Sequence, residues 1–270
     1  MAEMIGVVKI GGAEGNRIEP LMGEIAERAA SGEKWIVVHG ASGVMDRLCA
    51  ERGVDIRMIT SPSGYRSRFV GQRERALFEE AAMSYGASIK KILSGLGAEA
   101  EQVRPEDSGV TAKRKDVLRE SAGGRIKIVR GNYSGTVTSV DRAKILAATD
   151  GRVPILPPLG FDRESSLDID IDGDRLAAAV ASAVSANVMI ILSNVPGLMK
   201  NVSSPESRIA NGSLRDWDAL EHYARGNMKR KLVACREALE GGVPRVYLTD
   251  GEKERPIERA LKGDATCLVR

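Results

Sequence analysis

The chain has 270 residues, enough to bury a sizeable core as one large α/β domain or two lobes. With 40 basic and 37 acidic side chains, its net charge of +3 is too slight for a duplex-binding protein, and 4% aromatic content argues against base stacking on single strands. Cys49, Cys235 and Cys267 are widely spaced and form no C-x-x-C pair, which fits a reducing compartment and no structural zinc. The N-terminus has no charged–apolar–small signal layout and no apolar run approaches membrane length, so the expectation is a soluble cytoplasmic protein with neither nucleic acid nor membrane as partner.

The opening stretch, Gly6-Val7-Val8-Lys9-Ile10-Gly11-Gly12-Ala13-Glu14-Gly15, is a β-branched run that ends in paired glycines with a lysine two residues ahead of them. Glycines let backbone N–H groups come close to an anion, and the lysine adds positive charge to that cradle. The order is not that of a Walker A loop, and the dinucleotide G-x-G-x-x-G spacing is absent. Helical spacing follows over Arg17 to Ala30, ending at Ser31-Gly32. Trp35 to His39 reads as a buried strand, and Gly40-Ala41-Ser42-Gly43 leads into a helix from Val44 to Arg52. The N–H groups at that helix start form a seat for a carboxylate or phosphate. His39, closing an apolar strand, reads as structural in preference to catalytic.

Thr60 to Val70 is turn-rich and holds Arg66 and Arg68, which face the same way if extended. A helix is predicted over Gln72 to Ser84, with another apolar-patterned piece over Ser88 to Leu96. Gly97 to Glu120 reads as a polar stretch whose basic run, Ala112-Lys113-Arg114-Lys115, is a solvated loop. Arg125 to Arg130, a turn over Gly131 to Gly135 and Thr136 to Val140 predict a hairpin. Asp141 is placed to cap a helix over Arg142 to Ala148, and Val153 to Gly160 is a short strand stopped by two prolines.

Asp168, Asp170 and Asp172 lead into Gly173-Asp174, the first half of an EF-hand loop. Its twelfth position is Ala179, where calcium needs a bidentate Glu, so calcium is excluded. The alternative is a strand with three carboxylates on one face running into a helix from Arg175 to Ser185, an arrangement that asks for nearby cations such as Lys9. Val188 to Leu192 is a fully apolar strand, Leu214 to Tyr223 a helix, and Gly226 to Lys231 opens a further helix to Glu240 with lysines that oppose its dipole. Arg245 to Leu248 is a core strand and Gly263 to Val269 an edge strand. Short apolar strands alternating with helices imply an α/β fold with a largely parallel sheet covered on both faces, its ligands at the carboxyl ends of the strands.

Seven segments in this order resemble the amino acid kinase family, near acetylglutamate kinase: Val8–Gly12, Val38–Gly43, Ser67–Phe69, Pro154–Gly160, Asp170–Arg175, Ser193–Leu198 and Gly226–Lys231. The resemblance implies an open αβα sandwich with a mainly parallel central sheet and two lobes, residues 1–165 taking the acidic substrate and making dimer contacts and residues 166–270 taking ATP. Gly64 to Phe69 looks most like the branch that phosphorylates 2-aminoadipate or glutamate held on the LysW carrier protein, in lysine or arginine biosynthesis. The implied reaction is phosphoryl transfer from ATP, with Mg2+ bound to the nucleotide, to a side-chain carboxylate. The implied partner is an acidic amino-group carrier, and homodimers are common in the family.

Carried over by position, Lys9 and Lys231 match the lysines that neutralise the transferred phosphoryl, and Asp174 matches the aspartate that organises them. Gly11 and Gly12 match the backbone cradle, with Asn194, Gly197, Leu198 and Lys229 on the ATP side. Gly40, Ala41 and Ser42 match the substrate seat, Arg68 the arginine on the substrate carboxylate, and Asp170 the contact to the substrate's α-side, with Asp172 also taken as substrate-binding. Acetylglutamate kinases usually carry asparagines where Asp170 and Asp172 stand, glycines where Ala41 and Ser42 stand, and Thr-Asp where Val70-Gly71 stands. The competing readings are an N-acetylglutamate kinase, a non-catalytic member, which retention of both lysines opposes, and a phosphate-substrate kinase, which has no need of Arg68. Arg66, Arg104 and the 113–115 run exceed what a small dicarboxylate occupies and point to the carrier.

Overall fold

The computed structural model describes residues 4–12 and 17–270, so Ala13, Glu14 and Gly15 of the opening stretch lie outside the described residues. One eight-stranded sheet runs through the molecule in the order Asn211–Ser213, Thr266–Val269, Arg245–Asp250, Val188–Ser193, Ile5–Ile10, Lys34–His39, Val153–Leu156, Ala100–Gln102. The six strands from Arg245–Asp250 to Ala100–Gln102 are parallel, while Thr266–Val269 and its neighbour Asn211–Ser213 run the other way. The C-terminal strand is therefore not the edge, because Asn211–Ser213 covers it.

Both faces of this sheet are buried, which is why its strands read as continuous apolar runs. Alternate residues point to opposite sides: Val7, Ile36, Val38 and Leu156 pack under helices Gly173–Ala183 and Asn227–Glu240. Val8, Ile10, Val37 and Ile155 pack under Glu19–Ala30 and Gln72–Gly95. The latter helix is continuous where two pieces were predicted. Gly86 does not break it; a Cβ there would lie 2.1 Å from Gln102 Nε2, so the glycine permits close packing rather than a turn. Among the described residues no helix is long and apolar enough to cross a membrane.

Four further strands, Leu159–Asp162, Leu167–Ile171, Ser134–Ser139 and Thr111–Arg114, close into a small barrel beside the sheet. This overturns two expectations. The segment with Lys113 and Arg114 is a barrel strand, and Arg114 lies over the Tyr133 ring at 3.5 Å while its Nε donates to Asn132 O at 2.7 Å. The predicted 125–140 hairpin does not form. Arg125–Val129 instead pairs back with Leu118–Ala122 through Gly123-Gly124, whose φ angles of +57° and +73° suit a two-residue turn that matches strand twist. Asp141 does cap its helix, accepting from Ala143 N and Lys144 N.

Candidate active site

The carboxyl ends of the central strands open into a cleft of about 1030 Å³. The order Val188–Ser193, Ile5–Ile10, Lys34–His39 places the first strand where connections diverge to either side, the position at which open α/β sheets bind ligands. Two glycine turns form one wall. Gly12 and Gly40 touch backbone to backbone: a Cβ on Gly12 would lie 2.4 Å from Ala41 N, and one on Gly40 would lie 2.7 Å from Gly12 N. Gly43 N donates to Gly12 O and Gly40 N to Ile10 O, which ties the first strand's turn to the start of helix Ser42–Glu51.

Lys9 projects from the first strand on the same face as Val7, toward helix Gly173–Ala183. That helix begins with Asp172, whose carboxylate accepts from Asp174 N at 2.9 Å and Arg175 N at 3.1 Å. The cap aims the next carboxylate, Asp174, at Lys9, with Nζ to Oδ1 at 2.8 Å. Lys231, in the first turns of helix Asn227–Glu240, reaches the same carboxylate at 3.4 and 3.5 Å and the Leu192 carbonyl at 3.3 Å. All three side chains are nearly buried. Burial pushes the Asp174 carboxyl up, but the ammonium groups of Lys9 and Lys231 outweigh it and hold it below the usual carboxylate range. Burial, then the charge of Lys9, draw Lys231 below the usual lysine range.

Across the cleft, the hairpin Met58–Thr60/Arg66–Arg68 brings in Arg68, which pairs with Asp46 of helix Ser42–Glu51 and leaves its buried Nε without a partner among the described residues. Arg230, beside Lys231, donates to the Arg66 carbonyl and so joins this hairpin to the opposite helix. Asp170 also lines the cleft; burial first, then Asp172, push it up to about 7 against Arg68 and Arg230. Of the residues singled out from sequence, Lys9, Gly11, Gly12, Gly40, Ala41, Ser42, Arg68, Asp170, Asp172, Asp174, Asn194 and Lys231 line this one cleft. Gly197, Leu198 and Lys229 do not. Leu198 is a core residue whose N–H donates to Thr266 Oγ1 at 2.9 Å, Gly197 is pressed against Thr266, and Lys229 is exposed.

His39 sits beneath the site, not in it. Its Nδ1 lies 2.9 Å from Gly40 O, Tyr85 meets its ring edge to face, and burial holds it neutral with a pKa lowered to about 4. Arg17, Arg230, Gly251 and Glu252 line the cleft without having been predicted. Gly251 and Glu252 follow a strand's carboxyl end, a signal present in sequence; Arg230 had only its place beside Lys231. Among the described residues the cleft wall holds eight lysines and arginines against four acidic side chains, a positive excess that favours an anion.

The sequence pattern of the Amino acid kinase family matches residues 4–250. The chain belongs to this family. Among its relatives, a [LysW]-aminoadipate kinase of Deinococcus radiodurans is 36% identical over 97% of this chain and 90% of its own length. A [LysW]-aminoadipate kinase of Thermus thermophilus is 34% identical, over 97% of this chain and 99% of its own length. The [LysW]-aminoadipate/[LysW]-glutamate kinase of Saccharolobus islandicus is 30% identical, over 97% and 98% respectively. Among solved structures, carbamate kinase from Giardia lamblia bound to AMP-PNP superposes with a TM-score of 0.69 at 15% identity, covering 99% of both chains. N-acetylglutamate synthase from Neisseria gonorrhoeae superposes at 0.77 with 22% identity, covering 99% of this chain and 59% of the synthase. The amino acid kinase fold is thus shared across different activities, and the site must tell them apart.

Proposed function

We propose that this protein transfers the terminal phosphoryl group of ATP to the side-chain carboxylate of 2-aminoadipate or glutamate carried on a LysW-type acidic amino-group carrier. The observation that carries the reading is the buried Lys9–Asp174–Lys231 arrangement at the floor of a cationic cleft. The names of the full-length relatives support the carrier-linked acceptor.

A substrate carboxylate oxygen bonds to phosphorus as the bond from phosphorus to the ADP oxygen breaks, giving an acyl phosphate. A carboxylate is already nucleophilic, so the site needs in-line placement and charge neutralisation rather than a general base. Lys9 and Lys231 meet the transferring group from two elements, and Asp174 holds both ammonium groups in place before it arrives. Gly11 and Gly12 offer N–H groups to the phosphates, while Gly40, Ala41 and Ser42 seat the acceptor at a helix start. Arg68 exchanges Asp46 for a substrate carboxylate, and Asp170 and Asp172 lie on the acceptor's α-side. In this reading residues 1–165 hold the acceptor and residues 166–270 the nucleotide. Asn194 faces the nucleotide, while Gly197, Leu198 and Lys229 lie off the cleft wall and take no part in holding it. In this reading Mg2+ arrives bound to the nucleotide phosphates.

The test is a phosphoryl-transfer assay with MgATP against carrier-linked 2-aminoadipate, carrier-linked glutamate and free N-acetylglutamate. The carrier-linked acids are expected to give the higher kcat/KM. A preference for free N-acetylglutamate at every ionic strength would replace this reading with that of an N-acetylglutamate kinase.

A further inference from the structure

One element of the fold has no role in the site as described. The hairpin Leu118–Ala122/Arg125–Val129 is a two-stranded sheet with no third strand among the described residues. Such a ribbon is marginal in water unless one face is packed. Its pairing register sorts its side chains into two sets. Leu118 with Val129 and Glu120 with Lys127 share one face, and that face is the packed one. Val129 is buried, Leu118 lines the cleft, and Glu120 holds Arg57 at 3.0 Å, whose guanidinium lies over Phe69 beside the cleft hairpin.

The opposite face carries Arg119 with Ile128 and Ser121 with Ile126. Ile126 is 60% exposed and Ile128 55% exposed, and Val117 at the base is also in solvent. Arg119, Arg125, Lys127 and Arg130 are exposed, and none forms an ion pair among the described residues. Glu120 and Asp116, the acids nearby in sequence, are already engaged by Arg57 and Arg114. The isoleucine face therefore shows two large β-branched side chains beside two cations that form no ion pair among the described residues, Arg119 across from Ile128 and Arg130 just past the strand's end, while Arg125 and Lys127 stand on the other face. Guarding a strand edge against aggregation needs the charges but not the isoleucines. An apolar centre with a charged rim is the make-up of a protein interface.

Its position says what docks there. The residues at its base, Lys115 and Leu118, are themselves part of the cleft wall, together with Met58 and Tyr65 of the neighbouring hairpin. Five strand residues extend the platform roughly 17 Å from that mouth, a span that an extended arm of about five residues covers.

We infer that the Ile126/Ile128 face of this hairpin is the docking surface for the body of an acidic protein whose arm places the amino acid in the cleft. The inference rests on the carrier-linked reading above and adds to it the surface that recognises the carrier. The two cations accelerate encounter, and the isoleucines set the lifetime of the complex.

The experiment uses the full chain with two paired variants, Ile126→Asp with Ile128→Asp and Arg119→Glu with Arg130→Glu. The probe is a LysW-type carrier, loaded with 2-aminoadipate for kinetics and unloaded for titration. Each pair is expected to raise KM for the loaded carrier and Kd for the unloaded one on the order of tenfold, with kcat and KM for ATP unchanged. The charge pair also flattens the rise of KM with salt, and the apolar pair does not. An unchanged melting temperature shows that these exposed positions leave the fold intact. Equal carrier binding by wild type and both variants overturns the docking surface alone. So does equal loss of binding to an anionic vesicle or a DNA duplex, or conversion of a dimer to a monomer by the apolar pair. A wild-type enzyme that turns over free N-acetylglutamate but not the loaded carrier refutes the carrier reading itself.

Discussion

Replacing Asp174 by Asn separates the organising role of this carboxylate from a general loss of structure. The side chain lies 2.8 Å from Lys9 Nζ and 3.4 Å from Lys231 Nζ, nearly buried. Opposite charges about 4 Å apart at an effective dielectric constant near 20 attract by about 4 kcal/mol. Removing one partner from a buried ion pair costs about 3–5 kcal/mol, because the remaining charge is left uncompensated. Here two ammonium groups are left facing each other, so the ligand-free D174N protein is expected to lose about 3 kcal/mol of stability in denaturant melts. A nucleotide restores negative charge to the same place, so AMP-PNP should stabilise D174N more than wild type, and KM for ATP should stay level or fall. The lysines are no longer held for the transition state, and kcat should drop by on the order of 10²–10³. The assay is steady-state kinetics beside melts with and without AMP-PNP. A kcat within about threefold of wild type, or a loss of ATP affinity matching the loss of kcat, would refute the reasoning.

Lys9→Ala and Lys231→Ala should each lower kcat on the order of 10²–10³ while moving KM far less, as steady-state kinetics would read. Asp170 titrates at about 7 in the folded chain, above its unfolded value, so its contribution to stability is full below pH 4 and is lost as pH rises through 7. Asp170→Asn should therefore flatten the fall in ligand-free stability between pH 5 and 8, and parallel melting curves for the two proteins would contradict this. Arg114 is stacked on Tyr133 and bonded to Asn132, so Arg114→Ala should lower the melting temperature. Exposed Lys113→Ala should leave it unchanged.

Where strand–turn–helix signals are local, sequence was a sufficient guide. The apolar runs at Val7, Val37 and Val188, each buried on both faces, identified the parallel sheet, and the lysine ahead of Gly11-Gly12 pointed to the cleft that all three residues line. Asp141 capped its helix as its residue type predicts. The failures share a cause in contacts distant along the chain. The 97–120 stretch read as a loop because its strands are short and polar, and they exist only through partners such as Phe161 and Val137. The hairpin at 125–140 was misassigned because two turns competed, and the positive φ of Gly123 and Gly124 favoured the nearer one. Asp172 was read as a substrate ligand, yet its carboxylate also caps the helix that presents Asp174, which depends on where that helix begins.

Lys9, Asp174 and Lys231 are visible as residue types at suggestive places in the sequence, but their convergence is not. It arises because parallel pairing places the first strand between two others, so that helices from far along the chain must start over its carboxyl end. Sequence by itself determined the fold class, the family and the chemistry on offer, since these depend on local periodicity and on residue identity. Only tertiary structure decided that three charges 57 to 222 residues apart would share one buried point, because desolvation and pairing act through space and not along the chain.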